Sequence, residues 1–212
     1  MKYLIFSDTH FTQKFDPAKF AIFKDAIEQA DKVIINGDFW EGFGISFDSF
    51  VTSKWKDTLF PLLKKKKAVY LFGNHDRKNI ADERMSLFSD SQEVCYTFKS
   101  GEKTFHVEHG DKGVALPNIS VITLTILTTI EEVVIRLLGD MFVKPVYGIM
   151  NRKLKSEIRG KYKENEYLVT GHTHCAEINL KAHYINSGFS KYGRCQYIFI
   201  EDGVVTAVTK TY

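Results

Sequence analysis

Five short apolar runs in this chain each stop at a small group of polar, metal-competent side chains. Tyr3-Leu4-Ile5-Phe6 leads into Ser7-Asp8-Thr9-His10, Val33-Ile34-Ile35 into Asn36-Gly37-Asp38, and Val69-Tyr70-Leu71-Phe72 into Gly73-Asn74-His75-Asp76. Phe105-His106-Val107 leads into Glu108-His109-Gly110-Asp111, and Tyr167-Leu168-Val169 into Thr170-Gly171-His172-Thr173-His174. Short runs of β-branched and aromatic residues bounded by Gly, Asn and Asp read as strands. The polar groups therefore fall at strand ends.

Between the first two strands, Asp16-Pro17 reads as an N-cap followed by Pro at the first helical position, and Phe20, Phe23, Ile27 and Ala30 recur at helical spacing. A second amphipathic segment, from about Phe47 to Leu63, puts Phe47, Val51, Trp55 and Leu59 on one stripe. Strand, helix, strand, helix, strand predicts a sheet with parallel character, and ligands of such sheets gather outside the carboxyl ends of the strands. Towards the C-terminus, Ala182 to Asn186, Arg194 to Ile200 and Val204 to Val208 are separated by Gly-containing turns and read as antiparallel strands completing a second sheet.

A long insertion separates Asp111 from Gly171. Ile119, Ile122, Ile126, Ile130, Val133, Val134 and Leu137 support helix, and Leu124, Ile135 and Leu138 make it apolar on more than one side. Val114 to Ile130 carries no charge, yet it contains Pro117, Asn118 and several Thr, and it falls short of the roughly 18 to 20 residues of a spanning helix. Lys144, Arg152, Lys153, Lys155, Arg159, Lys161 and Lys163 follow, partly balanced by Glu157 and Glu164. Peripheral membrane contact through residues 114–163 is thus one expectation, and solvation of the basic part is the plainer one.

Composition narrows the class. With 212 residues, 44% of them hydrophobic, the chain can bury the core of one domain, with residues 112–165 as an insertion or lid within it. A net charge of +3 is too weak to point to nucleic acid as a partner. Cys95, Cys175 and Cys195 are odd in number and widely spaced, which fits a reducing cytoplasm rather than a disulfide framework. Tyr3 to Phe6 is too short for the core of a signal peptide.

Five of the seven histidines lie in the strand-end groups, which points to metal chemistry. A pair of divalent cations needs oxygen donors, imidazoles and one carboxylate that touches both ions. Asp8 and His10, one residue apart, point to the same side of an extended chain. Asp38 can supply the shared carboxylate and Asn74 a carbonyl oxygen, while His109, His172 and His174 converge from other strands.

D-x-H, G-D, G-N-H-D, H-G-D and G-H-T-H, in this order from Asp8 to His174, resemble the calcineurin-like metallophosphoesterase superfamily. The resemblance implies an α/β fold, a four-layer αββα sandwich of two mixed β-sheets flanked by helices, with the helical insertion added. It implies one metal on Asp8, His10, Asp38 and His174 and another on Asp38, Asn74, His109 and His172, with manganese foremost and iron, zinc or cobalt suited to the same donors. A metal-bound hydroxide would attack phosphorus in line, the two ions lying roughly 3.5–4 Å apart. His75 would serve the leaving oxygen as general acid, with Asp76 behind it as orienter. Glu41 matches an acidic position that often follows G-D, and is expected behind the ligands or in a solvated loop. Asn186-Ser187-Gly188 resembles the family's N-P-G-S turn with Pro replaced.

The long apolar insertion after H-G-D resembles the UDP-2,3-diacylglucosamine hydrolase branch, although that branch has Arg where this chain has His75. A phosphorylated small molecule, nucleotide diphosphate or lipid-linked diphosphate is the substrate this implies. The alternatives are a soluble phosphodiesterase or phosphomonoesterase whose insertion forms a homodimer interface, and a non-catalytic metal-binding scaffold on the same fold.

Overall fold

In a computed structural model of the chain, residues 1–113, 130, 133–135 and 137–212 are described. They form strands β1 (Lys2–Phe6), β2 (Lys32–Asn36), β3 (Val69–Leu71), β4 (Ser91–Glu93), β5 (Cys95–Ser100), β6 (Lys103–Glu108), β7 (Glu166–Thr170), β8 (Glu177–Asn179), β9 (Tyr184–Asn186), β10 (Arg194–Glu201) and β11 (Val204–Thr211). The helices are α1 (Pro17–Gln29), α2 (Phe47–Val51), α3 (Trp55–Lys65) and α4 (Asp140–Glu157), and residues 130, 133–135, 137 and 138 are also helical. Among the described residues no helix is long and apolar enough to cross a membrane. The uncharged run from Val114, with Ile119, Ile122 and Ile126 expected in a helix, lies outside the described residues up to position 129.

One sheet has the order β11-β10-β1-β2-β3-β4, with β1 to β4 parallel and β10 and β11 antiparallel; the other has the order β5-β6-β7-β9-β8, with β6, β7 and β9 parallel. Side-chain alternation gives every central strand two buried faces. Tyr3, Ile5, Ile34, Val69, Leu71, Ile198 and Ile200 of the first sheet meet Phe98, Phe105, Val107, Tyr167, Val169 and Ile185 of the second. Leu4, Phe6, Val33, Ile35, Tyr70, Tyr197 and Phe199 face the other way, onto α1, α2 and α3. Beyond the second sheet, Leu154 and Ile158 of α4 pack on Leu168 and Tyr184. Helix, sheet, sheet and helix thus form the four expected layers.

Two local expectations change. The stripe from Phe47 to Leu63 divides into α2 and α3, because Thr52 Oγ1 donates to the carbonyl of Asp48 at 2.7 Å and Ser53 Oγ to that of Phe50 at 2.6 Å, closing the first helix. The β10–β11 hairpin joins the first sheet rather than the second. It pairs with the free edge of β1, Lys2 opposite Glu201 and Ile5 opposite Ile198, so that Ile198 and Ile200 enter the core between the sheets. Asp16 caps α1 as expected, accepting from Ala18 and Lys19 N–H.

Candidate metal centre

Every expected ligand lies in a loop leaving the C-terminal end of a strand: Asp8 and His10 after β1, Asp38 after β2, Asn74 after β3, His109 after β6, and His172 and His174 after β7. The loops are laced by backbone hydrogen bonds, Asp8 N–H to Gly37 O at 3.1 Å, His10 N–H to Asp38 O at 3.0 Å and Gly171 N–H to His109 O at 3.1 Å. Asp8, His10, Asp38, His172 and His174 all have φ between 45° and 60°. That left-handed conformation costs roughly 1–2 kcal/mol for a non-glycine residue, so strain collects where the side chains converge. Gly73 is required because a Cβ there would overlap the carboxylate of Asp38, and Gly37, at φ 78°, because a Cβ would overlap the ring of His109.

The two buried aspartates are held alike. Asp8 Oδ2 accepts from His172 N–H at 2.9 Å, which leaves Oδ1 3.3 Å from His174 Nε2 and without a hydrogen bond. Asp38 Oδ1 accepts from His75 N–H at 2.8 Å, which leaves Oδ2 3.3 Å from His109 Nε2 and 4.0 Å from Nε2 of both His10 and His75. Each carboxylate therefore has one oxygen locked by backbone and one turned to imidazoles. Burial pushes both carboxyls up, but the surrounding histidines outweigh it and hold them low, Asp38 well below the usual range.

The histidines are aimed by what lies behind them. His109 Nδ1 donates to the carbonyl of Asn36 at 2.9 Å, so Nε2 points at Asp38 and at Asn74 Oδ1, 3.2 Å away. Burial works against its charge, but Asp38 prevails and its pKa is pushed up to about 10. His10 is the opposite case, since burial brings it down to about 4, and its Nε2 makes no hydrogen bond. His174 stacks on Phe189, and the ring of His172 lies 5.2 Å from that of His109.

Asp76 does not stand behind His75. Its carboxylate turns back and accepts from Gly73, Asp38 and Phe39 N–H at 2.7, 3.1 and 2.6 Å, tying the ends of β2 and β3 together. Glu41 takes the place expected for Asp76. Oε1 lies 2.6 Å from His75 Nδ1 and Oε2 lies 3.1 Å from His10 Nδ1, and Lys191 approaches the same carboxylate at 3.8 Å. Burial lowers the pKa of His75, but Glu41 and Asp38 raise it above the ordinary value.

Sequence reasoning passed over Asn151. From the inner side of α4 its Oδ1 accepts from Thr173 Oγ1 at 2.6 Å and Tyr184 OH at 2.9 Å, while Nδ2 donates to Cys175 O at 2.9 Å. Thr173 sits between His172 and His174, so the helix is bound to the loop that carries both. The available signal was a lone Asn on the buried stripe of Val143, Leu154 and Ile158. Asn186 completes this network through Gly171 O at 2.7 Å and Thr173 Oγ1 at 3.0 Å, more than a plain turn requires.

Asp8, His10 and His174 bring ligand atoms within 4.8 Å of one another, as do His10, Asp38 and His75, and Asp38, His109 and His172. These three overlapping clusters form a candidate dinuclear metal site. The donor set fits the metal: carboxylates and imidazoles suit borderline divalent ions, and Asp8 Oδ1 and His10 Nε2 are buried polar atoms that make no hydrogen bond.

The chain matches the calcineurin-like phosphoesterase family over residues 1–176. Its fold is similar to that of Yfce, a phosphoesterase from E. coli, at 18% identity and a TM-score of 0.53, over 97% of this chain and 91% of that one. It is also similar to wild-type Vps29 from Entamoeba histolytica, a structure complexed with zinc, at 14% identity and a TM-score of 0.51, over 100% and 99% of the two chains. No curated protein matches the chain.

Proposed function

The chain belongs to the calcineurin-like phosphoesterase superfamily, and we propose that it is a hydrolase of phosphoester bonds that works with two divalent metal ions. The observation that carries this reading is the matched pair of aspartates, each with one oxygen locked by a backbone N–H and the other turned to imidazoles. Asp8, His10, Asp38 and His174 would hold one ion and Asp38, Asn74, His109 and His172 the other, with Asp38 shared. Manganese is the ion proposed first, with iron, zinc and cobalt suited to the same donors. When bound, the ions would supply Lewis acidity to a phosphoryl oxygen and activate water for in-line attack.

His75 supplies the proton. Its Nδ1 is committed to Glu41, so Nε2, on the side of Asp38, is the atom left to serve a leaving oxygen. Glu41 and Asp38 raise its pKa, which favours the protonated ring that a general acid needs. Phe43 packs on the ring at 4.3 Å and screens one side of it from water. Asp76 acts one step back, holding the loops that carry Asp38 and His75.

The test is hydrolysis of a phosphomonoester, a phosphodiester and a lipid-linked diphosphate, with Mn²⁺ and with chelator. Metal-dependent turnover of at least one substrate is expected. No turnover and no bound metal would overturn the reading, whereas bound metal without turnover would mark a metal-binding scaffold.

A further inference from the structure

Helix α4 has two apolar faces, and the second sheet covers one. Val143, Leu154 and Ile158 are buried among Cys175, Phe189, Leu168 and Tyr184. At 3.6 residues per turn, Met141, Pro145 and Ile149 fall on the opposite side, where Met141 is 81% and Ile149 57% exposed. Leu137, 77% exposed, and Leu138 extend the apolar surface before the helix. Seven of the fifteen exposed large hydrophobic residues among those described fall between Ile130 and Ile149. Such a concentration, rather than scattered single residues, marks a surface that meets something.

Charge selects the occupant. Residues 144–163 carry seven Lys and Arg against one acidic residue, Glu157, which lies 3.9 Å from Lys153. A second copy seated on this face would bring no acidic cluster to meet the basic stretch, since Asp140 and Glu157 are the only acids from 137 to 163. An apolar stripe continued by cations instead matches a surface with an acyl interior and anionic headgroups. Among the described residues no helix is long and apolar enough to cross a bilayer, and the contact proposed is a peripheral one. We propose that the outward face of α4, with the helical residues just before it, docks the protein on an anionic lipid bilayer. Met141, Ile149 and Leu137 enter the acyl boundary, and Arg152, Lys153 and Lys161 meet headgroup phosphates. The ring of Tyr147, on the inner side of the same helix, lies 6.0 Å from that of His174, so the candidate metal centre and the docking face are on opposite sides of α4. The docking stands apart from the hydrolase reading, since it uses no metal ligand.

The experiment is co-sedimentation of the full chain with unilamellar vesicles of phosphatidylcholine alone or mixed with phosphatidylglycerol. Binding to the anionic vesicles, weakened by salt, is expected. Met141→Glu with Ile149→Glu lowers it about tenfold or more, with unchanged thermal unfolding because both side chains are exposed. Arg152→Glu with Lys153→Glu lowers it independently, which guards against misfolding of the first variant. No binding to anionic vesicles, equal binding to neutral ones, or binding unaffected by both variants would overturn the proposal. A dimer of the parent chain that the first variant dissociates would overturn it too, handing the face to a second copy.

Discussion

The inner and outer sides of α4 depart from the usual burial pattern in opposite directions. Inward, towards the strand-end loops, Asp8 Oδ1 and His10 Nε2 are buried polar atoms that make no hydrogen bond. Outward, Met141, Leu137 and Ile149 are apolar side chains left in water. A buried polar atom without a partner and an exposed apolar cluster are both unfavourable on their own. These are the two places to which the proposals assign something outside the chain, a cation inside and an anionic lipid surface outside.

The comparison breaks most sharply at Asp38. Asp38→Asn removes the shared charge, and we expect turnover to fall about a thousandfold or more, with fewer metal ions per chain by elemental analysis. His75→Ala tests the other half of the inner side. Metal content is expected to hold while kcat drops by about 10²–10⁴; undiminished kcat at saturating metal would remove His75 as the proton donor.

Glu41→Gln is milder, about tenfold in kcat, and its signature is in pH. Glu41 raises the pKa of His75, so the parent keeps its proton to higher pH. Without that carboxylate only Asp38 opposes the effect of burial, the pKa falls, and the basic limb of the pH–rate profile moves to lower pH. A limb that stays put would separate Glu41 from the proton transfer.

The smallest effects sharpen the contrast within one helix. Asn151→Ala, on the inner side, leaves Thr173 and Tyr184 without their acceptor and is expected to destabilise the fold by about 1–3 kcal/mol. Ile149→Ala, on the outer side, is expected to stay within about 0.5 kcal/mol of the parent. Denaturant unfolding of the two variants measures both, and equal losses would mean that Ile149 is covered after all.

The seven proposed ligands were legible because each stands at a strand end, next to the Gly or Asx residues that punctuate the chain. Asp76 was misplaced because adjacency to His75 in sequence says nothing about direction at a tight turn, and its carboxylate points back to the loop after β2. Glu41 was legible as the acidic residue three positions after Asp38, behind the ligands or in a solvated loop, but not as the partner of His75. Its contacts with two histidines arise where the loops after β1, β2 and β3 close on one another. The β10–β11 hairpin was recognised as a hairpin but assigned to the wrong sheet.

By itself the sequence determined what local chemistry controls: which segments are strands, which faces are apolar, where the chain turns, and which side chains can bind metal. Only the tertiary structure decided which edge of β1 takes β10, which carboxylate stands behind His75, and that a helix asparagine holds the loop of His172 and His174. Strand and turn signals span a few residues, whereas these pairings join positions tens to hundreds of residues apart. Their geometry is set by the packing of two sheets whose apolar faces, read alone, look interchangeable.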